Sequence, residues 1–305
     1  MNKKAFLLAL FTVIIWGSSF AAIRASLLGG YSPGHLVLIR FLIASSIFII
    51  YALWPGTKFR LPRKGDLLKI GILGWIGISV YHWGVTYGEV TVSAGTAGMV
   101  IASAPIFTAL IAVVFLKERI SAFGWVGMFV GIIGVFLITI GSEGSTFTIS
   151  KGVIFILIAS FAAAIFFVFQ KTLLKRYRPI ELTAYFTWAG TLPFFIYFPG
   201  LLQGIQGATM EANLSSIYLG IFPAAIAYVA WATALSIGET GSVASMLYAE
   251  PVIAIIVAWL WLKEFPSAIA ILGGIIAILS VIIVNWIGMK HRPRIVREIG
   301  NSDCR

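Results

Sequence analysis

Apolar stretches of about 20 residues, each long enough to cross the hydrocarbon core of a membrane as a helix, recur along the whole chain. Of the 305 residues, 60% are hydrophobic and only 11% are charged, against roughly 25% charged in a soluble domain. Lipid is therefore the medium of this chain, and we expect an all-α membrane protein with ten transmembrane helices. The predicted spans are 5–27, 33–54, 67–89, 92–116, 122–141, 152–173, 180–200, 214–236, 242–262 and 266–288.

The second half of the chain repeats the first half at a constant offset of 146 residues. The offset pairs Tyr31 with Tyr177, Pro105 with Pro251, Lys117-Glu118 with Lys263-Glu264, and Gly127 with Gly273. Because each half holds an odd number of spans, the second half must insert upside down, which places a shared cavity near the midplane. We expect a first five-helix repeat at 1–145, a second at 146–289, and a basic cytoplasmic tail at 290–305. The first span has a repeat partner in mid-chain, so we expect it to be retained rather than cleaved as a signal peptide.

Positive charge is distributed unevenly between the two sides of the predicted helices. Most of the 22 Lys and Arg residues fall on one side, whereas the segment 201–213 on the other side has none. This bias predicts that both termini are cytoplasmic. We interpret the net charge of +11 as a topology signal and as contact with anionic lipids at the cytoplasmic face, and not as nucleic-acid binding. Three residues lie near span ends, where we expect them to reach lipid headgroups: His35, Arg24 and Glu181.

Short motifs mark several spans and their ends. They are Trp16-Gly17-Ser18-Ser19, Arg40-Phe41, Ala104-Pro105, Leu116-Lys117-Glu118-Arg119, Glu250-Pro251 and Leu262-Lys263-Glu264. Together with glycine-rich fifth and tenth spans, they resemble the EamA-type, ten-helix branch of the drug/metabolite transporter superfamily, over the chain up to about Met289. The resemblance implies secondary export of amino acids or other small amphipathic metabolites across a bacterial cytoplasmic membrane. It also implies a proton gradient or substrate antiport as the driving force.

Polar side chains form a helical stripe along the third span. Trp75, Ser79, His82, Thr86 and Glu89 follow one another at steps of four, three, four and three residues. Such a face turns toward a cavity or another helix, because lipid offers no hydrogen bonds. A single Ser or Thr can instead bond to its own backbone one turn earlier. For a stripe that contains both a histidine and a glutamate, we favour the cavity.

Two charged residues lie deep inside predicted spans. Glu250 is followed by Pro251, which frees a backbone carbonyl one turn earlier. Its carboxylate could carry a coupling proton, or it could be a structural acid that never titrates; its repeat partner is the neutral Ala104. Arg40 could bind a substrate carboxylate. We favour for Arg40 the other role, a fixed internal ion pair that holds the second span to a neighbour.

Aromatic residues in the middle of spans predict an aromatic wall around the cavity. Tyr228 is the repeat partner of His82, which places the two side chains at corresponding points of the halves. Such a wall suits amphipathic or aromatic substrates, although core packing is the alternative for any one of these residues. The candidate cavity residues are Trp16, Ser19, Arg40, Ser79, His82, Thr86, Ser103, Phe166, Tyr228, Trp231 and Tyr248, with Glu250 as the acid and Pro105 and Pro251 as helix breaks.

Glycines at steps of three and four residues line the fifth span. They are Gly124, Gly127, Gly131 and Gly134, and Gly273 with Gly274 gives the tenth span a shorter version. Small residues so spaced allow two helices to approach closely. Two contacts are open at this point: one between the fifth and tenth spans of one molecule, which the family resemblance favours, and one between two molecules of a homodimer.

Several motifs are absent from the sequence. It contains neither a Walker-type loop nor a His-Glu-x-x-His motif nor a cysteine cluster, so we expect no ATP hydrolysis, no metal and no cofactor. The alternatives to a metabolite exporter are a carrier for nucleotide sugars or carboxylates and a membrane-embedded enzyme. Arg40 alone is poor provision for a diphosphate, and an enzyme has no need of an inverted duplicate.

Overall fold

The computed structural model describes residues 2–116, 122–142, 150–238, 243 and 245–289, and the regular elements among these residues are all helical. The α-helices are α1 Lys3–Leu28, α2 Pro33–Leu53, α3 Leu67–Gly74, α4 Tyr81–Gly88, α5 Ala94–Ile101, α6 Ala104–Leu116, α7 Ala122–Ser142, α8 Lys151–Leu174, α9 Pro179–Thr191, α10 Leu201–Gly207, α11 Met210–Ile221, α12 Tyr228–Ile237, α13 Glu250–Leu262 and α14 Ala268–Met289. Short 3-10 turns lie at Lys64–Asp66, Leu192–Tyr197 and Ser245–Ala249. The motif residues 117–119, the predicted repeat boundary at 145 and the tail 290–305 lie outside the described residues.

Four helical segments are long and apolar enough to cross a membrane, judged by length and composition. They are Lys3–Leu28, Pro33–Leu53, Lys151–Leu174 and Met210–Ile237. Shorter apolar helices follow between and after them. Hydroxyl side chains begin several helices by accepting a hydrogen bond from the first turn, as Ser32 does from the amide of His35 and Thr209 from that of Ala212. The chain is therefore a multi-pass, all-helical membrane protein.

The third and eighth predicted spans are each interrupted by a π-helical turn. The turns lie at Trp75–Val80 and Phe222–Ala227, at nearly equivalent places of the two repeats. A π turn holds an extra residue, so the helix after it presents a different face than an unbroken α-helix would. The predicted polar stripe is therefore wrong at its beginning, since the Trp75 side chain is 52% exposed whereas His82 is buried.

The fourth and ninth predicted spans are interrupted just before their prolines. Two turn residues separate α5 from α6, and Pro105 is the second residue of α6. In the other half α13 follows directly on a 3-10 turn, and Pro251 is its second residue. Proline fits the first turn of a helix because the backbone N–H groups of that turn have no acceptor within the helix, so the N–H that proline lacks is not needed there. Each proline thus stands where a new helix begins inside a predicted span.

The two halves exchange their first helices. α1, from the first half, packs mainly against α11, α12 and α13 of the second half. α8, which begins the second half, packs mainly against α4, α5 and α6 of the first half. Small residues allow these approaches: a Cβ added to Gly17 would lie 2.8 Å from the Ile253 side chain, and one added to Gly84 would lie 2.6 Å from the Phe155 carbonyl oxygen.

The glycine stripe forms the contact between α7 and α14. A Cβ added to Gly134 would lie 2.6 Å from the amide nitrogen of Ala277, and one added to Gly273 would lie 2.6 Å from the carbonyl oxygen of Gly134. Backbones this close leave no room for a side chain. The expected contact between the fifth and tenth spans of one molecule is confirmed.

Charged groups join the two halves at opposite ends of the helices. At one end the Arg24 guanidinium pairs with the Glu264 carboxylate at 2.9 Å and donates to the backbone carbonyl of Glu89 at 2.7 Å. At the other end Asp66 pairs with Arg176 at 2.9 Å and accepts a hydrogen bond from the Tyr177 hydroxyl at 2.7 Å. The hydrogen bond from Tyr177 and, after it, the charge of Arg176 lower the pKa of Asp66.

The expectation that Arg24 and Glu181 reach lipid headgroups is wrong. Glu181 is 2% exposed and accepts hydrogen bonds from the backbone amides of Arg60 and Arg178. Arg24 is engaged by Glu264, as described above. Each side chain lies beside a partner from the opposite half of the chain, and that partner takes the place of a headgroup.

Candidate functional site

A cavity opens between the two halves. Its volume is about 480 Å³ when the part open to solvent is counted. Seven of the predicted site residues line it: Trp16, Ser19, Arg40, His82, Phe166, Tyr228 and Glu250. They come from α1, α2, α4, α8, α12 and α13, so both halves contribute to the wall.

Residues related by the repeat meet at this cavity. The His82 and Tyr228 side chains are hydrogen bonded at 3.0 Å, although 146 positions separate them in sequence. A residue touches its own repeat partner only close to the axis that relates the halves. Ser45 and Thr191, also 146 positions apart, are hydrogen bonded at 2.9 Å. The cavity therefore includes a place where equivalent positions of the two halves meet.

A chain of polar groups crosses the cavity wall from Arg40 to Tyr228. The Arg40 Nη2 lies 3.4 Å from His82 Nδ1, and His82 Nε2 lies 3.0 Å from the Tyr228 hydroxyl. A guanidinium can only donate hydrogen bonds. His82 Nδ1 must then accept, which leaves the ring proton on Nε2, donated to Tyr228. The geometry fits a neutral imidazole.

Arg40 makes no salt bridge with any residue that the structure describes, so its predicted ion pair is wrong. Its side chain is 1% exposed, and its Nε and Nη1 atoms have no hydrogen-bond partner within the described residues. The Arg40 guanidinium lies against the His82 ring, 3.4 Å from Nδ1, and not within ion-pair distance of a carboxylate of the described residues. A buried guanidinium with open donors is suited to an anionic ligand.

Aromatic rings form much of the remaining wall. The ring centroids of Trp16 and Tyr228 lie 5.2 Å apart, and those of Tyr81 and His82 lie 4.7 Å apart. The Trp16 Nε1 donates to the carbonyl oxygen of Pro223 at 3.2 Å. This bond fixes α1 against the π turn of the second half and satisfies a backbone group there. The wall thus offers flat apolar ring faces, and the contacts between the rings and the Trp16–Pro223 bond hold them in place.

Glu250 is the acid of the cavity. It is the first residue of α13, it is 6% exposed, and it lines the same space as Arg40. The interruption before Pro251 places this carboxylate at a helix N-terminus, where free amide groups favour negative charge. The first-half partner of this position is Ala104, so only one of the two halves supplies an acid here.

Other predicted site residues lie away from the cavity. Ser79 donates to the backbone oxygen of Gly190 at 2.7 Å, and Ser103 bonds with Ser160 at 2.9 Å. Thr86 is fully buried behind the wall. Ser79 and Ser103 thus bond to neighbouring helices, and not to their own backbone one turn earlier, which was the alternative for single hydroxyl residues.

Two aromatic candidates also lie outside the main cavity. Trp231 contacts Trp16, with ring centroids 5.4 Å apart, and lines a smaller cavity of about 310 Å³ that shares Phe166 and Tyr228 with the first. Tyr248 packs against the small cluster of Ile106 and Met128. Nothing is described of the side chain of Pro105.

Sequence reasoning missed several lining residues. The missed residues include Phe20, Ile23, Gly77, Tyr81, Val85, Ala163, Phe167 and Pro223. A signal for some of them was present, since Phe20 is the repeat partner of Phe166 and Gly77 that of Pro223. Among the described residues there is no group of three or more His, Cys, Asp or Glu side chains that could hold a metal ion.

Comparison with known proteins agrees with this architecture. The chain matches the EamA-like transporter family twice, over residues 3–140 and 150–286. It is 38% identical to the uncharacterized transporter YdfC of Bacillus subtilis, covering 87% of this chain and 85% of that protein. It is 36% identical to a probable terminal-alkyne amino-acid exporter of Streptantibioticus cattleyicolor, covering 93% and 94%.

Two more distant comparisons extend the picture. A probable amino-acid metabolite efflux pump of Escherichia coli is 23% identical over 97% of this chain and 99% of its own. A protein crystal structure with 17% identity has a TM-score of 0.65, covering 96% of this chain and all of the other chain. The second likeness concerns the fold alone.

The fold and the cavity between two repeated halves define a membrane transporter of small molecules. The chain belongs to the EamA-like transporter family, which its sequence matches in both halves. Family membership and the names of its relatives point to transport and not to catalysis.

Proposed function

We propose that this protein exports small zwitterionic metabolites, amino acids and related compounds, across a bacterial cytoplasmic membrane by alternating access. In this proposal ten spans form two inverted five-helix repeats at 1–145 and 146–289, both termini are cytoplasmic, and the basic tail contacts anionic lipids. The observation that carries the function is the cavity between the two halves, with one guanidinium, one carboxylate and aromatic walls. The names of two relatives, an amino-acid exporter and an amino-acid metabolite efflux pump, support the same substrate class.

Arg40 binds the substrate carboxylate in this proposal. Its Nε and Nη1 groups are buried and without partners among the described residues, and a guanidinium holds a carboxylate with two parallel hydrogen bonds. Its remaining Nη2 is oriented by His82. The rings of Trp16 and Tyr228 contact the substrate side chain, which suits apolar or aromatic amino acids.

Glu250 couples export to the proton gradient. In the cavity its carboxylate faces either the substrate ammonium group or a proton, and an uncompensated charge inside a membrane is expensive. Substrate and proton therefore compete for one site, and the protein crosses between its two orientations with one or the other bound. This competition by itself exchanges substrate for protons across the membrane, which is antiport. Under this proposal the acid titrates, which is the functional alternative for Glu250.

The two end contacts act as the gates. By the proposed topology the Arg24–Glu264 pair lies at the outer face and the Asp66–Arg176–Tyr177 cluster at the cytoplasmic face. Both join the first half to the second. Alternating access requires that one contact opens while the other stays closed. The internal contact of α7 with α14 uses the glycine stripe, which favours a monomer as the transporting unit.

A carrier of nucleotide sugars or other diphosphates is disfavoured. Arg40 is the cation that lines the described cavity, and two phosphates need more positive charge than one guanidinium supplies. A membrane-embedded enzyme is disfavoured by the same wall, because the Ser19 hydroxyl donates to the backbone oxygen of Trp16 and not to the histidine or the carboxylate of the cavity.

Exchange of labelled amino acids in proteoliposomes tests the proposed function. The wild type should exchange an internal for an external amino acid, and Arg40→Met should raise the half-saturating concentration by roughly 10- to 100-fold, since hydrogen bonds to charged groups contribute about 1.5–3 kcal/mol. Arg63→Met is the matched control, because Arg63 is an exposed arginine outside the predicted spans. Unchanged exchange in Arg40→Met would contradict the assigned role. No exchange of any amino acid by the wild type would overturn the substrate class.

A further inference from the structure

A second buried acid, Glu89, lies outside the cavity and has no role in the binding site described above. Its side chain is fully buried, and neither carboxylate oxygen has a hydrogen-bond partner among the described residues. An unpartnered carboxylate in a membrane-spanning helix is among the most costly arrangements a protein can keep. Such a group needs a ligand that removes its charge or satisfies its oxygens.

Glu89 stands between the cavity and one end of the protein. It directly follows α4, whose residues His82 and Val85 line the cavity. Seven residues separate Glu89 from His82, which places it about 10 Å further along the same helical face at 1.5 Å per residue. At this level its own backbone carbonyl accepts a hydrogen bond from Arg24.

Glu89 is fully buried, whereas the neighbouring Arg24–Glu264 pair is partly exposed. Arg24 and Glu264 form the end contact, and their side chains keep 19% and 22% of their surface exposed. On the inner side Thr86, one turn before Glu89, has a buried hydroxyl without a partner in the described residues. Unpaired polar atoms thus continue from the end contact toward the cavity, where Arg40 has two more.

The charges that face Glu89 decide which cation it can take. They are Arg40, Arg24 and Glu264. Two guanidinium groups against one further carboxylate oppose the entry of a sodium or potassium ion. A proton needs no coordination shell, and it removes the charge of the carboxylate itself.

We propose that Glu89 is a proton-binding site of the transport cycle, loaded from the outer face and separate from the carboxylate in the cavity. A hydronium ion at the Arg24–Glu264 end delivers the proton: an O–H bond forms on a Glu89 oxygen as an O–H bond of the hydronium breaks, which leaves water. Under the proposed topology this is the side from which protons enter during export. When the substrate leaves Glu250, the Glu89 O–H bond breaks and, by way of water, an O–H bond forms on the Glu250 carboxylate, so Glu89 supplies the proton with which the substrate competes. This inference rests on the proposed function, which supplies the direction of the cycle.

Glu89→Gln separates proton coupling from substrate binding. The change keeps the shape of the side chain and removes its acidity. Exchange of labelled amino acid at equal pH on both sides should stay within about two-fold of wild type, while uphill movement driven by an imposed pH gradient and the accompanying internal pH change should be lost. Glu211→Gln is the control, since Glu211 is an exposed acid bound to the Trp261 Nε1 and should leave both measurements unchanged.

Two results would overturn the role of Glu89. One is pH-driven movement that survives in Glu89→Gln; the other is a well-folded Glu89→Gln protein that has lost equal-pH exchange as well, because Glu89 would then serve binding or structure.

Infrared difference spectra on changing pH give a readout that needs no transport. The wild type should show a carboxylic acid band that Glu89→Gln lacks, and no difference between the two spectra would sink the site even if the substrate class were wrong.

Discussion

His82 and Tyr228 occupy the same position in the two repeats, and their side chains are hydrogen bonded to each other at 3.0 Å. Duplication of one unit would have placed two identical side chains at this point of the axis. In this protein the first repeat has a histidine at this position and the second has a tyrosine. The hydrogen bond between them therefore has a direction, from the imidazole to the hydroxyl. The direction continues to Arg40, whose repeat partner is Phe186. The two halves share a scaffold, and the chemistry of the cavity comes from where they differ.

Tyr228→Phe tests the directed bond. The change leaves the ring in place and removes the acceptor of the His82 Nε2 proton, which leaves a buried donor unpaired at a cost of about 1–3 kcal/mol. The melting temperature in detergent should fall. Tyr218→Phe is the control, because its partner Ser18 already donates to the carbonyl oxygen of Ile15 and is left without an unpaired donor. Equal melting temperatures of the two variants would mean that the His82–Tyr228 hydrogen bond stabilises the fold no more than the Ser18–Tyr218 bond does.

The Arg24–Glu264 pair predicts an effect on sidedness. Arg24→Gln leaves Glu264 without its cation and removes the donor to the Glu89 carbonyl. The outer contact should therefore open more readily. An impermeant thiol reagent added outside should label Ser19→Cys faster when Arg24→Gln is also present than when Ser19→Cys is the single change. The reverse-charge pair Arg24→Glu with Glu264→Arg should slow labelling again. Labelling that ignores all of these changes would remove the gate role.

The cluster of Asp66, Arg176 and Tyr177 predicts a pH dependence of stability. Because the folded pKa of Asp66 is lowered, chiefly by the Tyr177 hydroxyl, the carboxylate stabilises the fold above its ordinary pKa of about 4. The contribution is lost as pH falls through the lowered value. The difference in melting temperature between wild type and Asp66→Asn should therefore be constant near neutral pH and shrink in acid. A difference that grows in acid would contradict this linkage.

Tyr177→Phe provides a second test of the same cluster. Removing the hydroxyl removes the largest cause of the lowered pKa of Asp66, so the acid loss of stability should begin at higher pH than in the wild type. Tyr51→Phe, a tyrosine whose ring contacts Phe59 elsewhere, is the control. Identical acid limbs in all three proteins would show that the Tyr177 hydroxyl does not lower the pKa of Asp66.

Gly134→Leu tests the contact between α7 and α14. A Cβ at this position already meets the amide of Ala277 at 2.6 Å, and overpacking of this kind costs about 1–3 kcal/mol or more. The variant should melt earlier or separate the two helices. Gly71→Leu is the control, since a Cβ on Gly71 meets no atom within 4 Å. Equal stability of both variants would mean that the helices can move apart freely.

Sequence alone predicted a multi-pass helical membrane protein, the glycine contact, and the equivalence of His82 and Tyr228 in the two halves, because each of these follows from spacing within a helix or from the constant offset of the repeat. It failed for Arg40, since an ion pair depends on which helix lies opposite, and linear order does not contain that information. It failed for Trp75 because a π turn leaves no clear mark in apolar periodicity. Tyr81 was missed for the same reason.

The exchange of first helices bears on how the chain is made. α1 is synthesised first, yet its main neighbours, α11, α12 and α13, are synthesised last. Until then the Trp16 Nε1, whose acceptor is the carbonyl oxygen of Pro223, lacks that partner, whereas the hydroxyls of Thr12, Ser18, Ser19 and Ser26 bond to the backbone of α1 itself. The first half therefore cannot complete its packing when it leaves the ribosome. A chain that ended before α13 would leave α1 without one of its main neighbours. Assembly in this protein is completed from the last helices back to the first.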